Sequence, residues 1–260
     1  MSVKRTLVIG LELGDGELIR HWVKAGELPN LRALMCRGTW GWLQTSADVL
    51  HISAWPSLYT GTPPGAHGVY FTFQPAPGLQ GYQRFHEGLY GEPTLWKLAD
   101  AAGRRTVVLD PPYAHAERGY NGTLIHDWGS WAHYLKPGST PPQALGELER
   151  ACGTYPLGME ANDLGWGALD PKRTRDQLRS AIRAKTEATR WLMRQTQWDL
   201  LLSVYGETHV AGHYCLNAAG SPAEQPLMLD IYRELDAAIG ELVLAAGEDT
   251  GVVVISGDRV

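Results

Sequence analysis

One apolar run, Leu200 to Val204, constrains the fold more strongly than any other stretch of this 260-residue sequence. The run is short, carries no charge and closes with Tyr205 and Gly206, which is typical of a strand buried in a parallel sheet. Two histidines, His209 and His213, follow four positions apart. Because ligands of open α/β sheets bind beyond the carboxyl ends of the strands, the sequence predicts that both imidazoles lie at that edge.

Strand-like apolar runs and segments of helical period alternate along the chain. Strands are predicted over residues 6–11, 39–45, 105–109, 200–204 and 251–256 from their β-rich or alternating composition. Helices are predicted over 15–25, 29–37, 53–59, 93–102, 143–152, 170–197 and 227–246, several of which begin at Asp or Pro and end at Gly. This alternation predicts a doubly wound α/β fold, with a mainly parallel sheet and helices on both faces.

We expect a single domain that covers residues 1–260. Two stretches, around 71–91 and 111–142, are rich in Gly, Pro and aromatic residues without a sustained period, and we predict that they are long loop insertions. The last strand-like run ends shortly before Val260. Because a central strand needs a neighbour on each side, we expect the fold to be incomplete at its C-terminus, with a homo-oligomer partner or a missing C-terminal segment completing it.

Composition and charge narrow the class of protein. Hydrophobic residues make up 44% of the chain and charged residues 20%, which is ordinary for a globular protein with a real core. The net charge of −5 argues against a nucleic-acid or anionic-membrane partner, and the apolar run near the N-terminus is too short for a signal peptide or a membrane span. The three cysteines, Cys36, Cys152 and Cys215, have no paired spacing, so we expect a reducing, cytoplasmic location.

Four groups of segments carry a resemblance to a known family. They are Val8-Ile9-Gly10-Leu11-Glu12 with Leu28-Pro29-Asn30-Leu31, then 53–61 with 64–68, then His209-Val210-Ala211-Gly212-His213, and finally 232–236 leading into 252–256. In their order and spacing these segments resemble the alkaline phosphatase superfamily, in its type I phosphodiesterase/nucleotide pyrophosphatase branch. The resemblance spans nearly the whole chain and implies an alkaline-phosphatase-like α/β fold.

The positions that carry catalysis in that family differ in this sequence. The resemblance implies an Asp after the first strand, a Ser or Thr nucleophile, an Asp-x-x-x-His segment and an Asp-His pair after the last strand. At those places stand Glu12, His51, His209 with His213, and Gly257-Asp258. Only His213 agrees with the family pattern, so the usual two-zinc site with a hydroxyl nucleophile is not implied here.

The replacing residues can nevertheless bind a metal. Glu12, His51, His209, His213 and Asp258 are three imidazoles and two carboxylates that the resemblance places at one sheet edge, and such ligands suit zinc, iron or manganese. Taken singly, Glu12 is also explained as a helix cap, His51 as a loop histidine and Asp258 as a solvated chain-end residue. Taken together, they favour a remodelled site for one divalent transition metal.

Such a site predicts a divergent metal-dependent enzyme with a small-molecule substrate. A metal lowers the pKa of a bound water, so hydrolysis of a phosphate ester, diester or related ester by a metal-bound water is the first hypothesis. Glu207 is a candidate catalytic base, and His51, at the nucleophile's place, could in principle be phosphorylated. Two alternatives stay open: a non-hydrolytic mononuclear iron or manganese enzyme, such as an oxygen-using one, and a non-catalytic binding pseudoenzyme.

Three other features are predicted to be structural. His67 lies in Pro-Gly-Ala-His-Gly-Val, where the family resemblance implies a scaffold residue. The adjacent pair His126-Asp127 follows Leu124-Ile125 and indicates local hydrogen bonding at the end of a short strand. The strongly basic face of the helix over 170–197 is interpreted as solvated surface. It consists of Arg173, Arg175, Arg179, Arg183, Lys185 and Arg190.

Overall fold

The computed structural model describes residues 5–46, 51–86, 89–129, 136–157, 170–217 and 220–257 of the chain. The strands in these ranges are β1 (Arg5–Leu11), β2 (Phe73–Pro75), β3 (Tyr82–Arg84), β4 (Thr106–Leu109), β5 (Thr123–His126), β6 (Gly138–Thr140), β7 (Leu200–Tyr205) and β8 (Thr250–Ile255). The helices are α1 (Gly16–Ala25), α2 (Pro29–Arg37), α3 (Ala54–Thr60), α4 (Pro64–His67), α5 (Leu95–Ala101), α6 (Ala144–Cys152), α7 (Pro171–Gln195), α8 (Glu207–Tyr214) and α9 (Pro226–Ala246). Short 3₁₀ turns cover His51–Ser53, Pro77–Leu79 and Pro222–Glu224.

Six of the strands form one sheet in the order β6-β5-β4-β7-β1-β8. Every neighbouring pair is parallel except β5 with β6, which is antiparallel. The remaining two strands, β2 and β3, form a separate antiparallel hairpin. The predicted fold class, a mainly parallel α/β sheet of the alkaline-phosphatase-like kind, is confirmed.

The alternation of side chains along β1 divides the core into two layers. Leu7, Ile9 and Leu11 lie in the larger apolar cluster, together with buried residues of α1, α2, α6, α7, α8 and α9. Val8 points to the other face of the sheet and packs against a second, smaller apolar cluster. That cluster contains Trp55 and other buried residues of α3 and α5. Because successive side chains of a strand point to opposite faces, one apolar run serves both layers. Helices therefore cover both faces of the sheet, as predicted.

Local sequence explains why α1 forms where it does. Asp15 is the N-cap, and its carboxylate accepts hydrogen bonds from the amides of Glu17 and Leu18 at 2.8 and 2.9 Å. Gly26 ends the helix in the left-handed conformation with a φ of 82°. Between these ends, Leu18 and Trp22 are buried against the sheet.

Helix α2 has no side-chain cap of its own, and α9 supplies one. Asp236 Oδ1 accepts from the amide of Leu31 at 2.7 Å, and Asp236 Oδ2 accepts from the amide of Asn30 at 3.0 Å and from its side chain at 2.9 Å. A Cβ on Gly240, one turn along α9, would lie 2.5 Å from Asn30 Oδ1, so a larger residue there would displace the Asn30 side chain from this contact. Two of the segments that carried the family resemblance therefore meet in one structural contact.

The arginines of the basic face of α7 lie at the surface, and four of them are paired with acidic residues of α9. Lys185, which was assigned to the same face, is buried instead. The pairs are Arg175 with Asp230 at 3.1 Å, Arg179 with Glu234 at 2.9 Å, Arg183 with Glu234 at 2.8 Å and Arg190 with Glu241 at 3.2 Å. Such partly exposed pairs contribute about 0–1 kcal/mol each. These pairs connect α7 to α9 at the surface and add little to the free energy of folding.

Two predictions of local structure need correction. Residues 39–45, predicted as a strand, form no regular element. Their alternating tryptophans pack instead along α1, where Trp42 lies over Gly16 and Trp40 lies under the guanidinium of Arg20 at 5.0 Å. The stretch 111–142, predicted as a loop insertion, contributes β5 and β6 to the main sheet. Both strands are short, and the Gly and Pro residues next to them give the whole stretch the composition of a loop.

The loop predicted around 71–91 contains the β2–β3 hairpin, which is fixed to the body of the domain. The buried Gln74 accepts from the amide of Tyr70 at 3.0 Å and donates to the carbonyl of Gly68 at 2.8 Å. The three cysteines form no disulfide. Within the described ranges, no helix has the length and apolar character needed to cross a membrane.

Candidate active site at the carboxyl edge of the sheet

Glu12 follows β1 directly, and the backbone on either side of it is held by the neighbouring β7–α8 segment. Its amide donates to the carbonyl of Tyr205 at 2.9 Å, and its own carbonyl accepts from the hydroxyl of Thr208. The side chain is buried. Glu12 thus stands at the sheet edge in a fixed position.

The three residues after Glu12 are anchored as well. Leu13 has a φ of 51°, in the left-handed region that non-glycine residues rarely occupy. The amide of Gly14 donates to Ser256 Oγ at 3.0 Å, and the amide of Asp15 donates to the hydroxyl of Tyr232 at 2.9 Å. Contacts from β7, α8, α9 and the end of β8 therefore hold one strained loop, which is typical of functional sites.

Helix α8 begins at Glu207, separated from the end of β7 by Gly206 alone, and carries both predicted imidazoles. Residues four apart share a helix face, and the rings of His209 and His213 lie 4.8 Å apart between centroids. His209 Nδ1 is 3.8 Å from Glu12 Oε1, and both side chains are buried. Burial lowers the pKa of His213 to about 4, with a smaller contribution from His209, so His213 is neutral near pH 7.

His51 lies on the 3₁₀ turn that leads into α3, and it is exposed to solvent. Its ring meets the ring of Phe71 edge-on, with the centroids 6.0 Å apart. Ala54 follows closely, and a Cβ on Gly257 would lie 3.4 Å from it. The segment of His51 therefore lies beside the carboxyl end of β8. Asp258, the fifth predicted ligand, lies outside the described residues.

The predicted ligands come together only in part. Glu12 approaches His209, and His209 approaches His213, but within the described ranges no three Asp, Glu, His or Cys side chains converge closely enough to hold a metal ion. A tetrahedral ion with bonds of about 2 Å sets its ligands about 3.3 Å apart. The 3.8 Å spacing of Glu12 and His209 is wider than that value. The donor set therefore fits a divalent metal in its chemistry, and the two side chains would have to move closer together to bind one.

Glu207, the predicted base, faces the protein interior. It is 1% exposed, and its Oε1 accepts from the hydroxyl of Tyr155 at 2.6 Å and lies 3.8 Å from Lys185 Nζ. Burial raises the pKa of Glu207, and the nearby ammonium of Lys185 partly opposes that change. Glu207 is therefore part of a buried polar cluster below the sheet edge.

That cluster also contains Lys185, Asp110 and Tyr155. Asp110 and Tyr155 were not predicted from the sequence. Lys185 was assigned to the solvated basic face of α7, and that assignment is wrong, because Lys185 is 0% exposed. A signal for Lys185 was present, because it falls in the stripe of α7 whose other members are the buried residues Leu178, Ile182, Thr189 and Leu192. A charged residue in such a stripe indicates a buried partner for the charge.

His67 has the structural role that was predicted for it. Its Nδ1 accepts from the amide of Val69 at 3.1 Å, so Nε2 carries the proton and donates to Ser57 Oγ at 3.0 Å. Burial lowers its pKa to about 4. The pair His126 and Asp127 is also local: both side chains are buried, and His126 Nδ1 lies 3.2 Å from Asp127 Oδ2.

One face of the β2–β3 hairpin presents exposed aromatic residues. Phe73 pairs with Arg84 across the hairpin, and Pro75 pairs with Tyr82, so these four side chains share a face. Phe73 and Tyr82 are exposed, and the guanidinium of Arg84 lies 6.0 Å from the Phe73 ring. The face forms an aromatic wall with one cation. Phe71, which contacts His51, precedes this hairpin by two residues.

The carboxyl edge of this α/β sheet gathers a carboxylate on an anchored loop and two imidazoles on a helix, at the place where ligands of such sheets bind. The sequence matches the type I phosphodiesterase/nucleotide pyrophosphatase family over residues 6–258, and the chain belongs to that family. No curated protein sequence matches it significantly.

Solved structures with a similar fold share little sequence with this chain. Phosphonoacetate hydrolase from Sinorhizobium meliloti 1021, in complex with phosphonoformate, matches with a TM-score of 0.64 and 14% identity, over 98% of this chain and 56% of that one. Murine ectonucleotide pyrophosphatase/phosphodiesterase 5, an inactive form in complex with AMP, matches with a TM-score of 0.53 and 14% identity, again over 98% and 56%. This chain therefore spans about half the length of these structures.

Proposed function

We propose that this chain forms the catalytic region of a metal-dependent hydrolase that acts on a phosphate ester, a phosphodiester or a related ester. The observation that carries the proposal is the 3.8 Å approach of Glu12 to His209 at the carboxyl edge of the sheet, on backbone that four elements anchor. Membership of the phosphodiesterase family supports the reaction type.

The residues that would hold the metal are Glu12, His209 and His213, with Asp258 and His51 as the other predicted donors. When bound, the ion would act as a Lewis acid toward phosphoryl oxygens and lower the pKa of a water. The chain's own part is to keep Glu12 and His209 fixed at the edge. His213 stays neutral over the pH range near 7, so its imidazole is available as a donor.

The substrate that this site fits is a small phosphorus-containing molecule. The similar structures hold phosphonoformate and AMP, which share a phosphorus-centred anion. His51 occupies the family's nucleophile position and is exposed, so it can reach a substrate phosphoryl group. The aromatic wall of Phe73 and Tyr82, with Arg84, is suited to an organic group of the ester.

We also propose a reducing, cytoplasmic location, which the free thiols support, because Cys36 is exposed and unpaired. The association of the chain with a second copy stays a prediction.

The test is hydrolysis of a chromogenic phosphodiester with added zinc, manganese or iron. We expect metal-dependent turnover in the native protein and a loss of about 100-fold or more in His209→Ala, because several kcal/mol of charge stabilisation disappear. His21→Ala is the matched control, since His21 is exposed on α1, and we expect it to be unchanged.

The other outcomes of the same assay separate the alternatives. Equal activity in His209→Ala and the native protein would overturn the proposal. Metal binding with oxygen consumption but no hydrolysis would favour an oxygen-using enzyme, and the absence of metal binding would favour a binding pseudoenzyme. Intact activity and metal content in His51→Ala would remove His51 from the site.

A further inference from the structure

Lys185 of α7 lies at the centre of the buried polar cluster and is 0% exposed. A lysine ammonium has three hydrogens to donate. Two of them go to the carbonyl of Gly129 at 2.8 Å and the carbonyl of Val204 at 2.9 Å. The carboxylate of Asp110 lies 3.1 Å from the ammonium and forms an ion pair with it. Hydrogen bonds and a paired charge together are the condition under which a buried cation is tolerated.

The partners of Lys185 come from the ends of three neighbouring strands. Asp110 follows β4, Gly129 follows β5 and Val204 lies in β7. Asp110 also accepts from the amide of Gly129 at 2.9 Å, so the ends of β4 and β5 are bound to each other as well. One ammonium thus connects the carboxyl ends of β4, β5 and β7, at the edge of the sheet next to α8.

The cluster extends from Lys185 to the first residue of α8. Glu207 Oε1 lies 3.8 Å from Lys185 Nζ, and Tyr155 donates to the same oxygen at 2.6 Å. The ring of Tyr155 lies 5.4 Å from the ammonium and packs on Trp128 with the centroids 5.4 Å apart. Lys185 and Tyr155 therefore hold the N-terminal turn of α8 at Glu207, two residues before His209.

We propose that Lys185 is a positioning residue, which sets the start of α8 against the strand ends and thereby places His209 and His213 next to Glu12. Its role in activity rests on the proposed hydrolytic function, whereas its role in holding α8 does not. Lys185 is fully buried, so it acts through α8 and does not touch a substrate. Glu207, the first residue of α8, is the residue through which Lys185 and Tyr155 hold this helix.

The variant that tests the proposal is Lys185→Met, which keeps most of the side-chain volume and removes the ammonium. Its matched control is Thr189→Val, one turn along α7, because Thr189 is also 0% exposed and also contacts β7, with its Oγ1 2.9 Å from Ser203 Oγ. The control removes a buried polar contact to the same strand, away from the sheet edge. Both variants are made in the full chain.

Hydrogen exchange of the backbone amides gives a readout that needs no activity. In Lys185→Met we expect exchange in residues 207–214 to rise at least about tenfold relative to α9, because α8 would open locally. In Thr189→Val we expect that ratio to stay within about twofold of the native protein. Unchanged protection of α8 in a folded Lys185→Met, or an equal rise in the control, would overturn the proposal.

Steady-state kinetics on the phosphodiester give the second readout. We expect kcat of Lys185→Met to fall at least about tenfold with KM within about twofold, since displaced catalytic groups affect the transition state more than substrate binding. A change confined to KM would contradict the positioning role. If the native protein hydrolyses no ester, the hydrolytic function fails while the exchange result still decides the role of Lys185. Should Lys185→Met not fold, Asp110→Asn weakens the same contact, and the same two readouts apply.

Discussion

At the scale of single residues, the structure separates histidines that hold the fold from histidines that form the site. His67 is buried with both ring nitrogens bonded, one to the amide of Val69 and one to Ser57 Oγ. The rings of His209 and His213 lie 4.8 Å apart with a tilt of 56°, and His209 lies beside the Glu12 carboxylate at the sheet edge. The same side chain therefore serves two purposes, and its partners distinguish them.

The environment of His67 predicts how stability changes with pH. Its pKa is about 4 in the folded protein and near 6.5 when unfolded, so the unfolded state takes up the proton first as the pH falls. The free energy of unfolding should therefore drop by up to about 3 kcal/mol between pH 7 and pH 4 on account of this group. Urea unfolding at several pH values measures it.

The comparison protein for that measurement is His67→Gln, which keeps a buried polar side chain without a titrating group. It should be less stable than the native protein at pH 7, and the difference should shrink toward pH 4. Parallel stability curves for the two proteins would show that His67 is not the group responsible.

At the scale of elements, the contact between α2 and α9 predicts a large effect of one carboxylate. Asp236→Ala leaves the first amides of α2 without their acceptor, and the free energy of unfolding should fall by about 2–4 kcal/mol. Asp230→Ala, six residues earlier on α9, removes a surface pair with Arg175 and should cost less than about 1 kcal/mol. Equal losses in chemical denaturation would refute the capping role.

The elements also show what the sequence can predict and why. Long apolar runs, such as the one that forms β7, were recognised as strands because a parallel strand is buried on both faces. Strand β6 was missed within a predicted loop because it is short and lies between prolines. Strand β5 was recognised only as a short strand at Leu124-Ile125, without its place in the main sheet. Residues 39–45 were predicted as a strand because tryptophans that pack on α1 imitate its alternation.

At the scale of the whole molecule, the parallel sheet brings together residues that are far apart in sequence. Glu12 after β1 meets His209 after β7 because these strands are neighbours in the sheet. The family resemblance placed both residues at this edge, which is also where ligands of open α/β sheets bind. The cluster around Lys185 was not predicted. The place of Lys185 in the buried stripe of α7 indicates that the charge has a buried partner, but the partners Asp110 and Glu207 come from other elements, which no local pattern identifies.

We expect Glu12, His209 and His213 to hold one metal ion at this edge, and an anomalous difference map of crystals grown with zinc would locate it. A single strong peak is expected about 2.0–2.2 Å from the Glu12 carboxylate and from the His209 imidazole, with His213 turned toward it. Zinc bound only at exposed histidines such as His21, with no peak between Glu12 and His209, would rule out this metal site.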